Sequence, residues 1–130
     1  MSDSDLHVEL VAADRVVWSG DATIVIARTT EGEVGILANH APLMSLMVPG
    51  VVEVRSDGGD TIRAAVDSGF LSVAGNRVSI LAEQAALADD IDAGQAQRAL
   101  EEARGGDLED DNVLAEVRRA EAWVRAAERT

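Results

Sequence analysis

Acid–base or nucleophilic chemistry near neutral pH has few side chains to draw on in this sequence. Its imidazoles are His7 and His40, and it contains neither cysteine nor tyrosine. Catalysis of that kind needs a base poised near neutrality, a nucleophile beside it, or a bound metal. His7 sits between Leu6 and Val8 on the polar side of an alternating run and is expected to be a solvated surface residue. His40, ahead of Ala41 and Pro42, fits two uses: a turn residue hydrogen-bonded to backbone, or a residue that meets a ligand or partner. The carboxylates at 107–111 lack the glycine and spacing of a calcium loop and fit a solvated link. With no lysine in the chain, there is no phosphate-cradling glycine loop ending in Lys-Ser or Lys-Thr. No catalytic residue, metal site or cofactor is expected, and a small acid–base enzyme is the least supported outcome.

The stretch Gly32-Glu33-Val34-Gly35-Ile36-Leu37-Ala38-Asn39-His40-Ala41-Pro42-Leu43 points instead to contact. Two glycines flank the β-branched Val34, which predicts a strand whose backbone bends or is closely approached. Pro42 disfavours helix at Ala41 and removes a ladder donor, so residues 40–42 are expected to form an extended or turning edge.

The elements that must position this stretch change period midway. Over residues 6–83, short runs alternate with period two and turn residues recur every 8–12 positions. Leu6, Val8 and Leu10 form one such run; residues 16–18 and 23–27 supply others. Val52 and Val54, then Ile62, Ala64 and Val66, flank Ser56-Asp57-Gly58-Gly59-Asp60, a hairpin signal. Residues 70–73 and 78–81 flank a second turn, Ala74-Gly75-Asn76. So many short strands predict a β-sandwich or flattened barrel.

After Asp90 the pattern turns helical. Asp92 followed by Gln95 is a capping-box pair that starts a helix near Ala93. Ala96, Leu100 and Ala103 share one face, and Gly105-Gly106 stops the helix. In the next helix Val113, Val117, Ala120, Val124 and Ala127 recur in steps of four and three, forming a seam. The expected fold class is α+β: a sandwich over residues 1–90, then an antiparallel two-helix hairpin over 91–130. A buried alanine methyl contributes about 0.8 kcal/mol against roughly 1.5–3 kcal/mol for valine or leucine. The alanine-rich hairpin is therefore able to detach, the alternative being permanent docking.

Charge narrows the partners. The formal net charge is −13, and all 11 basic residues are arginines. Such a surface repels phosphate backbones and anionic lipid head groups. The N-terminal Met1-Ser2-Asp3-Ser4-Asp5 has no signal-peptide character. No apolar run approaches the roughly 20 residues that span a bilayer. The absence of cysteine fits a reducing compartment. From 112 onward four arginines face three glutamates, a local +1, which leaves −14 for the rest.

Gly-Glu-Val-Gly-Ile-Leu followed by His-Ala-Pro-Leu resembles the signature of the epsilon subunits of bacterial and chloroplast F-type ATP synthases. More pieces follow in the family's order: Val48-Pro49-Gly50-Val51-Val52, with Val48 where lysine is common; Asp67-Ser68-Gly69-Phe70-Leu71-Ser72-Val73; Val78-Ser79-Ile80-Leu81-Ala82-Glu83; and Ile91-Asp92. The resemblance covers about residues 6–103 and implies a non-catalytic central-stalk subunit. It implies that His40, Ala41, Pro42 and Leu43 face a gamma subunit, and that Glu31, Gly32 and Glu33 meet the polar loops of a c-ring. By the same resemblance Arg118, Arg119, Arg125 and Arg129 reach acidic segments of the alpha and beta subunits and restrain ATP hydrolysis. The chain would then sit at the cytoplasmic side of a bacterial membrane, held there only through its complex. Some members bind ATP through Ile-Asp-x-x-Arg-Ala, but Gln95 stands at the arginine position here, so nucleotide binding is not expected. A free-standing β-sandwich adaptor is the alternative.

Overall fold

The computed structural model describes residues 5–56 and 58–128. The first alternating run becomes strand β1 (Leu6–Ala12), buried at every second residue. It is followed by β2 (Arg15–Ala22), β3 (Ile24–Thr29), β4 (Gly32–Leu37), β5 (Leu43–Met47), β6 (Gly50–Arg55), β7 (Thr61–Val66), β8 (Gly69–Ala74), β9 (Arg77–Ala82) and β10 (Ala85–Leu87). The sheet runs β10-β7-β6-β3-β5-β8-β9-β1-β2, with β4 attached to β3. Every pairing is antiparallel except that of β1 with β9.

Between β3 and β5 the only registered pair is Thr29 with Met47, and there the sheet folds over from one layer to the other. One layer holds β5, β8, β9, β1 and β2; the other holds β3, β4, β6, β7 and β10. The free ends come close again, since Arg15 Nη2 donates to Ala85 O at 3.1 Å. This is the flattened barrel that the strand density predicts. Between the layers lie Leu6, Val8, Leu10, Val25, Ile36, Val52, Val66, Leu71, Val73, Val78 and Ile80. The β8–β9 turn is the expected one: Gly75 (φ 56°) and Asn76 (φ 62°) are both left-handed, as a two-residue type I′ turn requires. The 56–60 hairpin also forms, with Ser56 N–H donating to Asp60 O at 2.9 Å; its Asp57 lies outside the described residues. Strands β5 and β10 were not foreseen from the alternation, because β5 is apolar on both faces and β10 is only three residues long.

Two helices follow a short 3₁₀ turn at Ala88–Asp90. Helix α1 (Ala93–Arg104) is capped as the sequence predicts, with Asp92 Oδ1 accepting from Gln95 N–H at 3.0 Å, and it ends at Gly105. Helix α2 (Asp111–Ala127) is capped by Asp110. It packs on α1 and also lies across β6 and β7. The deepest positions on α2 are therefore Ala122 and Ala126, both fully buried, and not the half-buried seam Val113, Val117, Ala120, Val124 and Ala127. A single-seam pattern misses them because α2 has two partners. Small side chains at the contact, with Ala65 buried on the outward side of β7, allow close approach.

The hairpin is docked in this structure. Asp67, 2% exposed, places Oδ2 2.7 Å from Arg119 Nε and accepts Ser68 N–H on Oδ1 at 2.8 Å. The Arg119 Nε–H is not directed along its line to Asp67, so the contact is a close ion pair without an aligned hydrogen bond from Nε. At the other end Arg63 of β7 donates to Glu128 O at 2.7 Å and to Arg125 O at 3.5 Å. A guanidinium there also complements the negative C-terminal end of the helix dipole.

Candidate functional site

The two layers differ in what covers them. The outer side of β6 and β7 lies under α2, whereas the outer side of the β5-β8-β9-β1-β2 layer carries no helix among the described residues. An apolar row crosses this bare face. Leu46 opposes Phe70, Phe70 opposes Leu81, Leu81 opposes Val11, and Val11 opposes Val16. Leu46, Leu81 and Val16 are each more than half exposed and Phe70 is 39% exposed. Five strands in a row span about 19 Å at a typical strand spacing. The adjacent row is Met44, Ser72, Ser79 and Glu9, in which Met44 is 70% exposed. Water gains nothing from such a stripe, and an apolar patch rimmed by polar residues marks a protein contact.

The predicted contact stretch lies at the start of β5, while Leu46, near the other end of that strand, accepts Thr30 N–H at 3.1 Å beside the β3–β4 turn. His40 N–H donates to Leu37 O at 3.1 Å, and its Nδ1 lies 2.7 Å from Ala41 O. His40 is thus bound to backbone on both sides of this turn. Asn39, at φ 67°, donates its N–H to Asn76 Oδ1 at 2.6 Å and so ties this turn to the β8–β9 turn. Ala41 and Pro42 are exposed, while Leu43 is half-buried against the core. Strand β5 leads directly from this turn to Met44 and Leu46.

Glu31, Gly32 and Glu33 are exposed at the β3–β4 turn, the opposite end of β4. Thr29 Oγ1 braces that turn by donating to Gly32 O at 2.8 Å and accepting Glu31 N–H at 3.2 Å. Gly32 has φ 116°, which a side chain resists, whereas Gly35 meets only ordinary contacts, so no close approach explains it. Six residues of strand hold the two predicted contacts about 17 Å apart. They are separate surfaces and not one site.

The four arginines named from sequence also divide. Arg119 is committed to Asp67, Arg118 and Arg125 are exposed, and Arg129 lies outside the described residues. His7 belongs to a surface charge cluster, with Nδ1 3.4 Å from Asp21 Oδ1 and Nε2 3.9 Å from Glu9 Oε1. Among the described residues, no three His, Asp or Glu side chains are placed to hold a metal. Among those residues, no helix is long and apolar enough to cross a membrane. Sequence pattern missed Met44, Leu46, Phe70 and Leu81; the signal for two of them was the run of β5, apolar on both faces and interrupted only by Ser45, which implies cover on both faces.

A rigid sandwich with one face roofed by its own helices and the other left apolar defines a subunit shaped to be held by a partner. Residues 5–88 match the family model described as the ATP synthase delta/epsilon chain, beta-sandwich domain. Two curated relatives, each named ATP synthase epsilon chain, are 50% identical over 123 residues and come from Streptomyces avermitilis and Streptomyces griseus. In both cases the match covers 95% of this chain and 95% of the relative. A chain in the Euglena gracilis mitochondrial ATP synthase (OSCP/F1/c-ring, rotational state 1) superposes with a TM-score of 0.82 at 26% identity, over 96% of this chain and 82% of that one. The chain belongs to the ATP synthase delta/epsilon family.

Proposed function

We propose that this chain works as a non-catalytic central-stalk subunit of a rotary ATP synthase, joining a gamma subunit to the c-ring. In that role it passes ion-driven rotation to the alpha and beta subunits, where nucleotide chemistry takes place. The observation that carries the reading is the bare apolar row from Leu46 to Val16, on the face whose strand β5 starts from the turn at 40–42. Torque transmission needs several fixed contacts, and a five-strand row on a closed sandwich resists shear better than a loop would. Gamma is assigned to that face, with His40, Ala41 and Pro42 at its end and Leu43 setting the start of β5. The c-ring is assigned to the turn with Glu31, Gly32 and Glu33, where a braced loop presents charge.

The helical hairpin (residues 91–130) acts as a separable module in this reading. Docked, it keeps Arg119 on Asp67; released, it frees Arg118, Arg119, Arg125 and Arg129 for acidic segments of the alpha and beta subunits and so restrains ATP hydrolysis. Association with the membrane, at its cytoplasmic side, runs through the complex.

Replacing Leu46 and Phe70 together by glutamate is expected to weaken binding to gamma about 100-fold or more, since each charge must be desolvated in the interface. Titration against gamma measures it, with circular dichroism checking that the sandwich persists. Wild-type affinity in a folded double variant removes the assignment, as does failure of the wild-type chain to bind gamma at all. Truncation after Asp90 is expected to leave assembly intact and to raise hydrolysis. Loss of the truncated chain from the assembled complex would contradict a separable hairpin.

A further inference from the structure

The chain carries 24 carboxylates to 11 arginines, so acids are in excess. Arg15, Arg55, Arg77, Arg104 and Arg119 each have one within ion-pair distance. Arg28, Arg63, Arg98, Arg118 and Arg125 have none among the described residues; Arg63 is instead bound to the backbone carbonyls of Arg125 and Glu128. Of these, Arg28 of β3 and Arg118 and Arg125 of α2 come together: all three line one groove of about 340 Å³, together with Val48, Pro49 and Glu121. Glu121, the one acid lining it, lies 3.8 Å from Arg104. Glu33 stands opposite Arg28 across the β3–β4 pair and still forms no ion pair with it.

The cluster is held in place and is not a chance meeting of loose ends. A Cβ at Gly50 would come within 3.2 Å of both Cβ and Cδ of Arg28, so the missing side chain leaves the space in which the Arg28 stem lies. Arg63 donates to the backbone carbonyl of Arg125 and fixes the end of α2 against the sheet. Three like charges facing a single acid, Glu121, still repel one another, and an anion among them turns that repulsion into attraction.

We infer that this groove binds a small phosphate oxyanion of the inorganic phosphate or pyrophosphate class. A planar guanidinium fork matches phosphate oxygens in pairs, and a phosphate has enough oxygens to serve three forks where a carboxylate does not. The chain's charge of −13 opposes long polyanions and anionic lipid surfaces, which leaves a small free anion as the occupant. The groove shares no lining residue with the cavity beside Asp92 and Gln95. Because Arg28 belongs to the sandwich and Arg118 and Arg125 to the hairpin, the anion bridges the two and favours the docked arrangement by linkage. The inference requires the docked hairpin only, and it stands whether or not the chain joins a rotary enzyme.

The test is a titration of the full chain with pyrophosphate at constant ionic strength, chloride making up the difference. Arginine Nε–Hε resonances and Tm report it. Saturable shifts at Arg28, Arg118 and Arg125 are expected, with Tm rising by about 3 °C near saturation. R118Q/R125Q, two exposed positions, should lower the affinity at least about tenfold, whereas R98Q on α1 should not. Co-sedimentation with phosphatidylglycerol vesicles separates the sources: no vesicle binding supports the free anion, and vesicle binding lost in R118Q/R125Q overturns it in favour of a head group. An unsaturable response, one matched by chloride, or one that survives in R118Q/R125Q overturns the site itself.

Discussion

Gly69→Ala is expected to destabilise the sandwich by about 3 kcal/mol or more and to lower Tm by roughly 10 °C. Gly69 opens β8 and pairs with Met47 on one side and Ala82 on the other. A Cβ built there would lie 2.1 Å from Leu81 O and 2.9 Å from Ala82 Cα. Both are backbone atoms, so no rotamer change relieves the clash and β9 itself must move. That strand carries Val78 and Ile80 into the core, and its displacement disturbs packing well beyond the substituted residue. Gly75→Ala provides the contrast: its φ of 56° is strained for alanine, but nothing lies within 4 Å, so a cost of about 1 kcal/mol is expected. Thermal and denaturant unfolding decide it. Equal effects at the two glycines would show that the β8–β9 approach is not the constraint.

Arg119→Ala should release the hairpin while leaving the sandwich folded. The side chains holding α2 to the sheet are small, Ala122 and Ala126 on the helix and Ala65 on β7, and each methyl contributes only about 0.8 kcal/mol. Removing Arg119 leaves Asp67 buried with one oxygen served by Ser68 N–H and the other without its cation. Stripping one partner from a fully buried ion pair costs about 3–5 kcal/mol. Arg119 is itself 38% exposed at the side chain, and water reaches Asp67 once the helix lifts, so about 2 kcal/mol is the expected loss of docking. That corresponds to a shift of roughly 30-fold toward the released hairpin. Amide exchange along α2 should accelerate by that factor with the strands unchanged. Arg119→Lys should fall between, keeping the charge and losing the fork. Unaltered α2 exchange in Arg119→Ala would mean that the ion pair does not hold the helix down.

Local physics made much of the architecture legible. Period-two alternation places β1, β6, β7, β8 and β9, and the Gly75-Asn76 turn follows from two residues that tolerate left-handed backbone. Asp92 announces the start of α1 because a side-chain acceptor is needed there. Fold-over at Thr29 and Met47 was not legible, since a single registered pair leaves no periodic trace. Neither was the second buried face of α2, because alanines at 122 and 126 look like indifferent helix formers until β7 lies beneath them. The turn at 40–42 was legible through Pro42 and its neighbours. The row from Leu46 to Val16 was not, because its members come from five strands and become neighbours only through register.

The parallel pairing of β1 with β9 bears on the order in which the chain is made. At the ribosome β1 emerges early and pairs at once with β2, its neighbour in sequence. Its other edge waits until residue 82 has appeared, because the partner for Val8, Leu10 and Ala12 is Val78, Ile80 and Ala82. During that interval an apolar strand edge stands open, the kind that recruits foreign strands. Closure by β9 is a late, long-range event that no nascent chain ending before it can complete. Nascent chains released before that point should therefore aggregate and not accumulate as half-built sandwiches.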